Sequence, residues 1–273
     1  MRSQTNPAVV IPLQSRDKSC VCDANLRHKL ELRANKALAI TLDGTQGLEQ
    51  LSTHGEVGDF LQQELKLWRK ALGPRRIGCL ELHYSDESLH PFDITGLIHR
   101  VASDFDISKA LYRIVLSPDS AQTEVLALLR GLKFEHCQFV IENAQAGQLQ
   151  MLEEPIAEAR TYKFARVGVQ IQHGDGMENL RESIRILRQR YQPDYIYIGA
   201  SSYRLREKDL EQQNYLFEDD LIDVRTDHLS LGPGASSKFG SLRLSNYNDI
   251  ERYISELSRK ILPLHQSSFH SDA

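Results

Sequence analysis

The feature that most narrows what this chain can become is an alternation of two hydrophobic periods. Short, nearly continuous apolar runs recur at residues 37–42, 77–83, 111–116, 137–141, 165–171 and 195–199. Runs of that length fit strands buried on both faces. Between them the apolar residues step by three and four. Val57, Phe60, Leu61, Leu65, Trp68 and Leu72 fall on one helical face, and so do Leu180, Ile184, Leu187 and Tyr191 before Pro193 stops the pattern. Residues 93–105 and 122–132 read as further helices, and 146–159 as a weaker one interrupted by Pro155. Strict strand–helix alternation implies a parallel α/β sheet with helices outside it. Six units are too few for a closed eight-stranded barrel. The pattern alone leaves an open partial barrel and a doubly wound sheet both open.

The flanks differ. Residues 1–35 are polar and read as an extension with one short helix near residues 26–32. The repeating part then spans 36–202. Residues 203–273 make a third section: a charge-rich connection, a Gly-Pro-Gly loop at Gly232–Gly234, and a helix over 248–262 packed on the barrel. That helix carries Ile250, Tyr253, Ile254, Leu257 and Ile261 on one stripe, and residues 267–273 read as a frayed tail.

A net charge of −4 argues against a nucleic-acid binder, which needs a basic face to displace counterions. The Arg75-Arg76 pair reads as a solvated loop end. No run approaches the roughly 20 apolar residues that span a bilayer, and residues 1–12 lack the apolar core of a signal peptide, so cytoplasm is the expected location. Cys79 and Cys137 sit in apolar runs and are expected to be small buried hydrophobes. Cys20 and Cys22 form a close pair, but two ligands do not make a metal site.

Polar groups at strand ends are the places to look for chemistry. His83, Asp86, Glu87 and His90 follow the second run and include metal-ligand types, although a polar loop with Asp86 or Ser88 as a helix cap is the favoured reading. His173-Gly174-Asp175-Gly176 follows another run, where a plain strand-to-helix turn is favoured over an anion nest. Glu142 and Asn143 come after the fourth run without marking an acid–base pair. No G-x-G-x-x-G, P-loop, G-x-S-x-G or H-E-x-x-H motif is present.

From Leu231 onward the sequence LGPGASSKFGSLRLSNYNDIERYISEL resembles a signature of the oxygen-independent coproporphyrinogen III oxidase-like family, radical-SAM enzymes. In that signature a glycine-rich loop ending in Ala-His-Ser precedes an Arg, an Asn and a helical Tyr. Here Gly232, Pro233, Gly234 and Ala235 supply the loop, and Arg243, Asn246 and Tyr253 fall where the pattern wants them, with Ser236 in place of the histidine. Ile114-Val115-Leu116-Ser117-Pro118-Asp119 is similar to the family's third strand. The resemblance covers about residues 36–262 and implies a partial (β/α)6 TIM-like barrel of the radical-SAM type with parallel strands. It also implies that this chain is a truncated member, with a shorter connection before the glycine loop and without the usual C-terminal domain.

The resemblance further implies a [4Fe-4S] cluster on three thiolates of a loop after the first strand, with S-adenosylmethionine on the open iron. Alignment of that loop puts Asp43, Gly47 and Gln50 at the cysteine positions. The glycine-rich cofactor motif after the second strand is replaced by residues 83–88, which contain no glycine, and the third-strand glutamate falls at Val115. The reading is therefore a degenerate member: a non-catalytic protein without cluster or S-adenosylmethionine. It would bind a tetrapyrrole or other small anionic molecule, or serve porphyrin metabolism as an accessory, alone or beside a catalytic homologue. The residues for that role are Gly232, Pro233, Gly234, Ala235, Arg243, His83, Asp86, Glu87 and Glu142, with no catalytic or metal-ligating residue assigned. The alternative is a diverged active oxidoreductase of the coproporphyrinogen III oxidase type.

Overall fold

A computed structural model describes residues 9–12, 28, 30–43, 57–84, 91–142, 145–172, 177–198 and 227–269. The strands are β1 (Val9–Pro12), β2 (Leu38–Asp43), β3 (Ile77–Tyr84), β4 (Leu111–Leu116), β5 (His136–Ile141), β6 (Arg166–Ile171), β7 (Tyr195–Ile198), β8 (Asp227–Leu231), β9 (Ser236–Phe239), β10 (Leu242–Asn246) and β11 (Leu264–Phe269). The helices are α1 (Val57–Leu72), α2 (Pro91–Asp104), α3 (Thr123–Gly131), α4 (Ala146–Gln150), α5 (Glu153–Thr161), α6 (Met177–Ile186), which runs on into a π turn over Leu187–Tyr191, and α7 (Ile250–Ser258).

The chain divides into two compact units. The first comprises residues 1–80, 87–110 and 225–273, and its strand order is β1-β11-β10-β9-β8-β2-β3. The second comprises 81–86 and 111–224, ordered β3-β4-β5-β6-β7, with β3 contributing residues to each. Pairing is parallel for β2–β8, β4–β5, β5–β6 and β6–β7, and antiparallel for β8–β9, β9–β10, β10–β11 and β1–β11. The sheet is open. The strand–helix alternation expected from hydrophobic period is present at every one of its strands, β2 to β7.

Local chemistry explains the boundaries. Helix α1 carries Asp59 in its first turn and Arg69 and Lys70 in its last, matching the helix dipole. Gly73, at φ +69°, ends it by donating to the Arg69 carbonyl at 3.1 Å. Helix α2 begins on Pro91, whose missing N–H costs nothing at that position. Pro155 does not break the segment over 146–159. It lies in the first turn of α5, and the break falls earlier, at Met151 and the buried Leu152.

Two expectations for the flanks need correction. Residues 267–269 are not part of a frayed tail: β11 pairs with both β10 and β1, and Ser267 is buried. Arg75 is not solvated either; it is 3% exposed, while Arg76 beside it is exposed.

In the second unit the strands have two unlike faces. Ile114, Cys137, Phe139, Val167 and Val169 are buried on the apolar face, and α5 packs on β6. The alternate positions include Arg113, His136, Gln138 and Gln170, a polar set that a continuous apolar reading of these strands does not anticipate. Gly168 lies on this polar face opposite its register partner Tyr195, whose ring rests directly against it. A methyl group at Gly168 would overlap the ring. Gly168→Ala is expected to cost about 2 kcal/mol through overpacking, measured by urea unfolding. Paired with Tyr195→Leu, which vacates the space, the same alanine should cost much less.

Candidate functional site

The Gly232-Pro233-Gly234 loop lies in the first unit, and its polar groups turn inward. The Gly232 N–H donates to Glu64 Oε2 at 2.9 Å, the Gly234 N–H to the Tyr247 carbonyl at 2.9 Å, and the Ala235 N–H to the Gly232 carbonyl at 3.3 Å. Proline has no N–H to offer. Gly232 and Gly234 adopt φ of +115° and +71°, a region that favours glycine, and a Cβ on Gly234 would strike the Asn248 side chain.

Glu64 organises this loop. It projects from α1, is fully buried, and accepts four hydrogen bonds on its two oxygens. Oε2 takes the Gly232 N–H and the Tyr253 hydroxyl at 2.7 Å; Oε1 takes the Asn246 amide at 2.8 Å and the Trp68 indole N–H at 3.1 Å. Asn246 also donates to the Gly232 carbonyl at 2.7 Å. Burial pushes the Glu64 carboxyl above its usual range, and each of the four donors pulls it back down. Burial also pushes the Tyr253 hydroxyl well up, reinforced by the neighbouring Glu64. Two of the signature residues, Asn246 and Tyr253, thus meet on one buried carboxylate. Arg243 does not join them; it is exposed on β10.

Glu64 is absent from the residues singled out by sequence, yet a signal for it exists. It falls between Leu61 and Trp68 on the apolar stripe of α1, and an acid in such a stripe needs buried partners.

The strand ends give a sparser set. His83 Nε2 lies 2.6 Å from Glu81 Oε1, and the other Glu81 oxygen pairs with Arg113, so a buried ion pair positions the half-buried histidine. Glu142, just past β5, is exposed. Asp86, Glu87, His90 and residues 173–176 lie outside the described residues. Among the described residues no group of three histidine, cysteine or acidic side chains is placed to hold a metal.

The residues that the resemblance assigns to a thiolate-bound cluster carry no sulfur: Asp43 ends β2, and Gly47 and Gln50 lie outside the described residues. Cys79 and Cys137 are buried on β3 and β5 outside any disulfide, and burial pushes Cys137 far up, away from the thiolate a cluster needs. Cys20 and Cys22 lie outside the described residues. Val115, at the position of the family's glutamate, is an apolar side chain 5% exposed.

The open, mostly parallel sheet with its helices is shared with a solved radical-SAM enzyme. Coproporphyrinogen III oxidase from Escherichia coli, a radical-SAM enzyme, aligns with 92% of this chain and 76% of its own, at a TM-score of 0.69 and 12% identity. HydG, a maturase of the [FeFe]-hydrogenase, covers 64% of this chain and 45% of its own at a TM-score of 0.39 and 10% identity. No protein-family profile matches the sequence, and no curated protein is detectably similar to it. Identity this low shows the fold alone. No helix among the described residues is long and apolar enough to cross a membrane.

Proposed function

We propose that this chain is a non-catalytic relative of oxygen-independent coproporphyrinogen III oxidase that binds a tetrapyrrole or another small anionic molecule without iron–sulfur chemistry. The observation that carries the reading is a disagreement between scaffold and donors. The fold follows the Escherichia coli enzyme over 92% of this chain, while the first-strand loop offers Asp43, Gly47 and Gln50 where thiolates belong. Carboxylate, glycine and amide do not replace soft sulfur ligands on iron. The strand ends carrying His83 and Glu142 are the proposed ligand surface, with Asp86 and Glu87, which follow His83 in the sequence, as further proposed contacts. In the first unit Gly232, Pro233, Gly234 and Ala235 shape a turn of their own, and Arg243 on β10 is the proposed contact for a propionate. An accessory role in porphyrin metabolism, alone or with a catalytic homologue, is the physiological form of this proposal.

Anaerobic reconstitution with iron and sulfide tests the chemistry. The expected product is colourless and holds no stoichiometric iron. A stable brown species with about three to four irons per chain would establish the alternative, a diverged active enzyme, and end this reading. Porphyrin titration followed by Soret absorbance tests the ligand class. Saturable binding weakened by Arg243→Ala is expected, and a linear, unsaturable response would remove the tetrapyrrole.

A further inference from the structure

The polar face of the second unit holds a group of atoms that internal packing leaves unsatisfied. Arg113 Nε, His136 Nδ1, Gln138 Oε1 and Tyr195 Oη are all buried and have no hydrogen-bond partner. Their residues are 8%, 8%, 3% and 1% exposed. Buried polar atoms are almost always paired, so four on one face need an occupant.

The strand register places them together. Arg113 and His136 are direct partners on β4 and β5, Gln138 is the next residue on the same face of β5, and it lies beside Gly168, which lies beside Tyr195. Gly168 leaves room for the Tyr195 ring, whose outer atoms Cε2 and Cζ lie where a Cβ on Gly168 would be, so the ring reaches from β7 over β6. The charge of Arg113 is felt at both the Tyr195 hydroxyl and the His136 ring, and Arg166 acts on both as well.

The donors point to one ligand chemistry. Arg113 Nε can only donate, the Tyr195 hydroxyl can donate, and a neutral imidazole can carry its proton on Nδ1. Gln138 bonds Gln170 at 2.6 Å through its amide. Turning both amides over keeps that bond with donor and acceptor exchanged, and directs the Gln138 NH2 into the site as a fourth donor. Glu81 neutralises much of the Arg113 charge through its ion pair but leaves Nε unpaired.

We propose that the amino ends of β4 to β7 form a site for a small oxyanion, a carboxylate or a phosphate, held by Arg113 Nε, His136, Tyr195 and the Gln138 amide. The site lies on the N-terminal halves of these strands, and Glu81 links its Arg113 to His83 of the surface proposed above. Its test is independent of iron and porphyrin binding.

The experiment is calorimetric titration of the full chain with sodium phosphate, sodium sulfate and sodium acetate, at constant ionic strength against chloride. Saturable binding of at least one oxyanion is expected, with phosphate and acetate separating the two ligand types. Tyr195→Phe keeps the ring over Gly168 and removes one donor, so binding should weaken about tenfold or more. Should that variant not fold, His136→Leu is read by the same ratio. If no oxyanion binds saturably, the four atoms are hydrated by water alone and the proposal is overturned. It is equally overturned if the variant binds as tightly as the parent.

Discussion

Glu64→Leu is expected to lower the unfolding free energy by about 3 kcal/mol or more, read from urea unfolding. Leucine is close to glutamate in volume and belongs on an apolar stripe, so packing alone would predict little change. The cost comes from the donors. The Gly232 N–H, the Tyr253 hydroxyl, the Asn246 amide and the Trp68 indole N–H all lose their acceptor inside the core. Glu64→Gln is the sharper comparison. However its amide turns, the NH2 faces one pair of donors; the Tyr253 oxygen can accept in place, whereas turning Asn246 to accept would set its Oδ1 against the Gly232 carbonyl. A loss of about 2 kcal/mol is expected for it. The pH dependence has a definite sign. Burial raises the Glu64 pKa in the folded state, so its stabilising contribution is fully present below the ordinary glutamate value and is lost as pH rises through the raised one. Glu64→Gln should flatten that decline. A leucine variant within about 1 kcal/mol of the parent would mean that the loop does not depend on this carboxylate.

The parts of the fold that were legible share one physical property. Strands β2 and β4 to β7 pair in parallel, and all of β2 to β7 are rich in apolar residues, so the runs stand out from the helices between them. Strands β8 to β11 were not legible. Residues 227–231 read Asp-His-Leu-Ser-Leu and 236–239 read Ser-Ser-Lys-Phe, half polar, and the strands are held by pairing rather than by apolar character. Leu264–Phe269 has the same quality, and its place between β1 and β10 depends on partners far away in sequence. The resemblance drew attention to Gly232, Asn246 and Tyr253 as signature positions but not to Glu64, which joins them. The separation is the reason: Glu64 and Gly232 are 168 residues apart. Pairing at that distance leaves no mark in a local period. The same limit hid Arg113 and Tyr195, each of which looks like an ordinary strand residue until register brings them to one face.

Strand β8 is held at both ends by a buried carboxylate, and the second of these gives the other large expected effect. Asp227, its first residue, accepts Arg75 Nη1 at 2.8 Å on one oxygen and Arg33 Nε at 2.6 Å on the other. The Asp227 and Arg75 side chains are 0% exposed, whereas Arg33 is 27% exposed. Arg75 also donates to the Leu30 carbonyl at 2.8 Å and lies over the Phe239 ring. Asp227→Ala leaves the Arg75 cation buried without a counter-charge, and the expected loss is about 3 to 5 kcal/mol. Arg33→Ala should cost about 1 kcal/mol or less, because that end of the bridge is partly solvated. These unequal costs separate a buried pair from a surface one. Taking two charges out of water is itself expensive, so removing both need not cost more than removing one. The double variant Arg75→Met with Asp227→Leu should therefore be more stable than Asp227→Ala alone, although the Leu30 carbonyl loses its donor. Urea unfolding of the parent, the two single variants at Asp227 and Arg33, and the double variant gives all three comparisons. If Asp227→Ala costs no more than Arg33→Ala, the buried pair does not anchor β8.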